Sequence, residues 1–83
     1  MWYVYIAKSR FGNYYTGITT NVEERIIAHN AGEGSQMGKQ QGPFMLVYTS
    51  EPYPNKSIAR KREIQIKGWT REKKKKLIRR GWK

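Results

Sequence analysis

The sequence predicts a small α/β protein, in which a three-stranded, mostly antiparallel sheet is flanked by helices. Three features indicate this fold: an alternating run at the N-terminus, a turn that would make the first two strands a hairpin, and stretches of helical periodicity after residue 20. With 83 residues, the chain has room for one domain and one modest core.

The first strand is predicted over residues 2–8, WYVYIAK. Tyr3 and Tyr5 alternate there with Val4 and Ile6, which places the two pairs on opposite faces of a strand. Tyrosine suits a half-buried strand, so packing alone could explain this composition.

A hairpin is predicted next, because Gly12 and Asn13 are good left-handed turn residues. If residues 9–13 form the loop, the strand YYTGIT follows and Tyr5 lies opposite Gly17. A missing side chain at that position would leave space for another group to approach the phenol.

The first helix is predicted to begin at a capping box formed by Thr20 and Glu23 and to continue to about Asn30. Its periodicity turns Val22 and Ile26 toward the core.

The rest of the chain alternates between loops and regular elements. The glycine-rich residues 32–42 are predicted to be a loop, and Pro43 opens a third strand in FMLVYTS. One helix is predicted from Lys56 to Trp69, and a shorter basic helix over residues 70–81.

The helix from Lys56 is predicted to turn one apolar stripe toward the core, with Glu63 at its border. The stripe consists of Ile58, Ala59, Ile66 and Trp69.

Charge is distributed unevenly along the chain. Of the net +11, residues 1–55 contribute none, while residues 56–83 hold thirteen Lys and Arg against Glu63 and Glu72. A block of one sign is typical of a protein that binds a polyanion, and nucleic acid is the partner it favours. A membrane surface is disfavoured because this segment has few apolar residues to insert.

Two further absences bear on the class of protein. The chain has no cysteine, which excludes a disulfide scaffold and a cysteine-ligated zinc and fits a reducing cytoplasm. No apolar run approaches the roughly 20 residues that span a bilayer. We therefore expect a cytoplasmic protein, and the sequence indicates no particular protein partner.

Several polar residues are candidates for chemistry, although each has a structural explanation. Glu63 beside an apolar stripe would need a partner, which could be a nearby Lys or Arg. Arg25 and His29 are four residues apart and lie side by side on their helix, where His29 could simply be a satisfied helix residue. Their order along the chain is more informative than any one of them.

Taken together, these residues resemble the GIY-YIG nuclease family, in particular its small free-standing bacterial members. Residues 3–5, Tyr-Val-Tyr, are similar to the GIY motif, and residues 15–17, Tyr-Thr-Gly, to the YIG motif. Residues 20–30 resemble the family's next helix, and residues 59–69 the helix that carries its metal-binding glutamate. The resemblance covers about residues 2–69.

The resemblance implies that the protein hydrolyses DNA phosphodiester bonds with low sequence specificity, in repair or recombination. Glu63 would hold one Mg²⁺ or Mn²⁺ ion, and Arg25 would contact the phosphate. The chain has no Asp, so a site with two metal ions is disfavoured. The base could be Tyr5, Tyr15 or His29, and sequence does not choose among them.

The resemblance also divides the chain into a nuclease domain, residues 1–69, and a basic helix or tail, residues 70–83, that packs on or extends it. Lys and Arg in this tail would grip phosphates without reading sequence. The residues predicted to do so are Arg71, Lys73, Lys74, Lys75, Lys76, Arg79 and Arg80.

Two other functions remain open from sequence. The same fold could be a non-catalytic nucleic-acid-binding module whose tyrosines stack on bases. The chain could also be a basic protein associated with RNA or the ribosome.

Overall fold

The computed structural model describes residues 1–30 and 43–81. The expected loop at residues 32–42 lies outside the described residues. Those that are described form a three-stranded antiparallel sheet and three helices, which confirms the predicted fold class. In chain order the elements are β1 (Tyr3–Lys8), β2 (Tyr14–Thr19), α1 (Val22–Asn30), β3 (Met45–Thr49), α2 (Lys56–Lys67) and α3 (Arg71–Gly81).

The hairpin has the predicted register. Strand β1 lies at the centre of the sheet, in the order β2-β1-β3, and both of its pairings are antiparallel. Residues 9–13 separate β1 from β2, so Tyr5 lies opposite Gly17. Gly12 takes the left-handed conformation that the turn needs, with φ 87°, whereas Asn13 does not.

The two faces of the sheet carry separate cores. On the Ile6 face, Ile6 packs with Val4 and with Ala59 and Ile66 of α2. On the opposite face, which we call the Tyr5 face, Tyr5 packs with Ala7 and Phe44 and with Val22 and Ile26 of α1. Because neighbouring residues of a strand point to opposite faces, β1 divides the molecule into two layers. The prediction for Val22 and Ile26 is confirmed.

The cap of α1 differs from the prediction. Asn21, not Thr20, is the capping residue: its Oδ1 accepts a hydrogen bond of 3.1 Å from the backbone N–H of Glu24. Asn21 is positioned in turn by Thr19, whose Oγ1 accepts from the Asn21 N–H at 3.2 Å. Asparagine caps a helix as well as serine or threonine does, and the helix begins one residue later than a Thr20 cap requires.

Helix α2 is shorter than predicted and buries a different stripe. The Asn55 side chain caps its start, and Gly68 ends it before Trp69. Ile58 is 42% exposed, so its predicted place in the core is wrong. The buried residues are Ala59, Glu63 and Ile66, which makes the carboxylate a member of the stripe and not its border.

Helix α3 is attached at both ends of its described length. Leu77 and Ile78 pack against the core of the Ile6 face. Near its start, Arg71 Nη2 donates a hydrogen bond of 2.6 Å to the carbonyl oxygen of Gly12, and the guanidinium lies 4.6 Å from the centre of the Tyr14 ring. Of the helices in the described ranges, none has the length and apolar character to cross a membrane.

Candidate active site

A cavity of about 330 Å³ lies between β2, α1 and α2. Side chains from two strands and two helices line it, including all five residues that the sequence analysis selected for chemistry. These are Tyr5, Tyr15, Arg25, His29 and Glu63. Residues separated by as many as 58 positions in the chain are thus brought to one cavity by the hairpin register and the packing of α1 and α2.

The Tyr5 hydroxyl is the centre of the hydrogen bonds in this cavity. Tyr5 is 3% exposed, and its oxygen lies 3.1 Å from His29 Nε2. Arg25 Nε donates a second hydrogen bond to the same oxygen at 3.4 Å. Arg25 and His29 reach one atom because they lie four residues apart on α1, on the same side of the helix.

The glycine of β2 makes room for this phenol. A Cβ atom built on Gly17 would lie 2.6 Å from the Tyr5 hydroxyl oxygen and 2.8 Å from Cζ, closer than real contacts allow. The space above Gly17 is therefore filled by the Tyr5 ring itself. The expectation that another group would approach the phenol through this space is wrong, because the ring leans across the strand.

His29 is held in its neutral form. Burial first, and then the positive charge of Arg25, lower the pKa of His29 below its usual value of 6.5. A neutral imidazole has one ring nitrogen that accepts a hydrogen bond. Since Arg25 donates to the Tyr5 oxygen, the Tyr5 O–H is available to donate to His29 Nε2.

Tyr15 lies in the same cavity but in a more apolar setting. Its ring packs edge-on against Phe44, with centroids 5.4 Å apart and an interplanar angle of 84°. Phe44 also contacts the ring of His29 at 5.4 Å. The aromatic residues thus form an apolar wall beside the hydrogen-bonded Tyr5.

Glu63 is buried, at 5% exposure, between two basic residues of its own helix. Arg60 Nη1 lies 3.4 Å from Oε1, and Lys67 Nζ lies 3.5 Å from Oε2. The partner that a buried carboxylate needs is therefore present. Nevertheless, Oε1 accepts no hydrogen bond from the described residues, although Arg60 is within ion-pair distance.

Arg60 and Lys67 also line the cavity, although neither was predicted from the sequence. Their spacing from Glu63, three before and four after, was the available signal, because it places all three on one side of a helix. Together with Arg25 they make the cavity rich in positive charge.

The residues present fit one divalent ion better than two. No group of three His, Asp or Glu side chains suited to a metal occurs within residues 1–30 and 43–81. A single buried carboxylate with an unsatisfied oxygen matches the way Mg²⁺ is bound, through one or two carboxylates, retained waters and substrate phosphate.

The basic residues predicted to bind nucleic acid are not brought to this cavity. Arg71, Lys73, Lys74, Lys75, Lys76, Arg79 and Arg80 all belong to α3, which packs on the Ile6 face. Arg71 is already engaged with Gly12 and Tyr14. None of the seven lines the cavity, which extends past the edge strand β2 to α2.

The hairpin, the α1 pair and the buried glutamate define a protein of the GIY-YIG class. Residues 1–76 match the GIY-YIG catalytic domain, and the chain belongs to this nuclease family. The match extends beyond residue 69 into α3.

Its relatives are small proteins of similar length. The chain is 49% identical over 76 residues to a UPF0213 protein of Staphylococcus haemolyticus, covering 92% of each chain. It is 47% identical over 79 residues to a UPF0213 protein of Staphylococcus saprophyticus, covering 95% of each. The solution NMR structure of a UPF0213 protein from Bacillus halodurans shares the fold, with TM-score 0.61 and 39% identity over 99% of this chain and 88% of that one.

Proposed function

We propose that this protein is a metal-dependent endonuclease that hydrolyses DNA phosphodiester bonds with low sequence specificity, in repair or recombination. The observation that carries the proposal is the Tyr5 hydroxyl, which contacts His29 and Arg25 in the same cavity as the buried Glu63. Membership of a nuclease family supports the class of reaction.

The hydrogen bonds of Tyr5 to His29 and Arg25 support Tyr5 as the general base. Tyr5 first gives its proton to His29 Nε2, and Arg25 stabilises the phenolate that forms, because its Nε already donates to that oxygen. The phenolate takes a proton from the water as that water attacks the phosphorus and the P–O3′ bond breaks. The leaving 3′ oxygen takes a proton from solvent, and His29 returns its proton to solvent. His29 suits this role because it is neutral and accepts a proton.

Positive charge in the cavity would stabilise the transition state. Arg25, Arg60 and Lys67 line the cavity and can donate to the non-bridging oxygens of a phosphate, where charge develops. A magnesium or manganese ion held by Glu63 would act as a Lewis acid on the phosphate.

A non-catalytic nucleic-acid-binding module is the second candidate function. It is favoured by one observation: Arg60 and Lys67 both lie within ion-pair distance of Glu63, so the carboxylate has partners without a metal. In that case the cavity would bind a phosphate and cleave nothing.

Glu63→Gln separates the two functions. We expect wild-type protein to cleave duplex, single-stranded or branched DNA when Mg²⁺ or Mn²⁺ is added, and the variant to cleave at least ~1,000-fold more slowly. This corresponds to about 4 kcal/mol of transition-state stabilisation, since each 1.36 kcal/mol is about tenfold in rate. DNA affinity should change little or improve, because a carboxylate leaves the phosphate's path.

Glu72→Gln is the matched control, because Glu72 is an exposed acid on α3. This variant should cleave DNA as fast as wild type does. Tyr5→Phe should slow cleavage more than Tyr15→Phe does. Thermal melts run alongside exclude loss of folded protein. If wild type cleaves none of the DNA forms with either ion, or if Glu63→Gln only lowers stability while activity per folded molecule persists, the nuclease proposal fails.

A further inference from the structure

A second groove lies beside the basic helix α3. It has a volume of about 240 Å³ and runs between α2 and α3. Its lining residues are Arg62, Trp69, Lys73, Lys76, Leu77 and Arg80. Four of them are cationic and, among the residues that the structure describes there, none is acidic.

The groove has an apolar floor and basic walls. Trp69 and Leu77 pack against the core of the Ile6 face, so they form a floor that is fixed by the fold. Arg62 belongs to α2, while Lys73, Lys76 and Arg80 belong to α3. A ligand in the groove would therefore meet positive charge from two sides.

Two of the cations are held in place by the floor. Lys73 Nζ lies 4.4 Å from the centre of the Trp69 ring, and Arg62 Cζ lies 5.0 Å from it. Attraction between a cation and an aromatic ring restricts such long side chains, and preorganised groups lose less entropy when they bind.

The spacing of the α3 cations suits a phosphate backbone. Lys73, Lys76 and Arg80 follow each other at intervals of three and four residues, which aligns them on one side of the helix. Seven residues of helix rise about 10 Å. Three cations over that length can contact more than one phosphate of a backbone.

We infer that this groove is a second nucleic-acid site and that it takes a single strand. A duplex presents a convex surface about 20 Å across, whereas a concave groove with cations on both walls encloses one backbone. This inference does not depend on whether the cavity is catalytic.

The position of the groove gives it a distinct role. The groove and the cavity have no lining residue in common, although α2 contributes to both. A nucleic-acid segment in the groove is therefore not the segment presented to Tyr5. The protein can hold one strand while a second segment enters the cavity.

Two double variants with equal loss of charge test the inference. Lys76→Gln with Arg80→Gln removes one Lys and one Arg from the groove. Lys75→Gln with Arg79→Gln removes the same pair one residue earlier, from exposed positions of α3 that do not line the groove. Affinity for a fluorescent oligo-dT of 12 nucleotides is measured by anisotropy between 50 and 300 mM salt, and a thermal melt of each variant checks folding.

The groove pair should lower affinity at least about tenfold and reduce the salt slope by about 1.4, since each phosphate contact to a single strand contributes about 0.7. The other pair should lower affinity no more than about threefold, through long-range charge alone. Equal losses in the two pairs would overturn the inference, because α3 would then act only through its total charge.

Strand preference is tested in the same assay with a 12-base-pair duplex. The groove pair should weaken duplex binding less than binding of the single strand. An equal or larger effect on the duplex would overturn the single-strand assignment. Cleavage need not occur for any of these measurements.

Discussion

At the scale of single residues, the Tyr5 hydroxyl reaches His29 because no side chain projects from the strand beside it. In Gly17→Ala, the new Cβ would lie 2.6 Å from the phenol oxygen, so the Tyr5 ring must move. We expect a loss of about 1–3 kcal/mol of stability from overpacking and at least a ~100-fold loss of cleavage, since Tyr5 would leave its hydrogen-bond partners. Urea unfolding and a cleavage assay measure the two effects.

Gly68→Ala is the control for that substitution. Gly68 has a helical conformation, with φ −79°. A Cβ there would meet the carbonyl oxygens of Gln65 at 3.5 Å and Ile64 at 3.9 Å, which are ordinary contacts. This variant should be as stable as wild type or slightly more so, with unchanged cleavage. If Gly17→Ala behaves in the same way, the close approach of Tyr5 does not constrain the site.

His29 should make the stability of the protein depend on pH. Its pKa is lowered in the folded state by burial and by Arg25, so the unfolded chain binds the proton first as pH falls. Stability should therefore decline as pH falls from above 6.5 toward the lowered pKa of His29, and the decline should end below it. The chain has a single histidine, so little else titrates between pH 5 and 7.

Thermal melts across this range measure that response. His29→Gln should show a flatter dependence on pH, because the group that titrates is gone. Cleavage should fall over the same interval, since a protonated His29 no longer accepts from Tyr5. A dependence equally steep in His29→Gln would show that another group is responsible.

At the scale of elements, the start of α1 depends on Asn21. Asn21→Ala removes the acceptor for the Glu24 N–H and should cost about 0.5–2 kcal/mol of unfolding free energy, whereas Thr20→Ala should cost less than about 0.5 kcal/mol. Because α1 carries Arg25 and His29, loss of its cap should also slow cleavage. Chemical denaturation of the two variants measures both losses of unfolding free energy. A larger loss in Thr20→Ala would support the predicted capping box.

The hairpin and the first helix show which structural features could be predicted from the sequence. The hairpin register follows from loop length alone, so the pairing of Tyr5 with Gly17 could be predicted from residues 9–13. The spacing of Arg25 and His29 on a helix likewise follows from periodicity. Such predictions hold because they depend only on local geometry.

Features that depend on how elements pack together were not predictable. Neither the exposure of Ile58 nor the burial of Glu63 follows from periodicity, since a helix with this composition could rotate to bury either one. In α3, basic residues occupy seven of the eleven positions. Only docking through Leu77 and Ile78 determines which of them line the groove.

At the scale of the whole molecule, two basic surfaces differ in their acidic content. The cavity holds three cations and the Glu63 carboxylate, whereas the described lining residues of the groove include no acid. Charge counted along the sequence locates the basic block but not the surface that it forms. The sequence predicted that residues of α3 bind phosphate, and Lys73, Lys76 and Arg80 line the groove and not the cavity.

The central position of β1 also sets an order of assembly for the molecule. Its pairing with β2 closes a loop of residues 9–13, whereas its pairing with β3 closes residues 9–44, which costs about 2 kcal/mol more in loop entropy. The hairpin should therefore form in the folding transition state, with Tyr5 already beside Gly17 before α2 brings Glu63. In stopped-flow refolding, Ile18→Val should slow folding, while Val47→Ala should mainly speed unfolding. The reverse pattern would mean that the pairing of β1 with β3 nucleates the fold, before β1 pairs with β2.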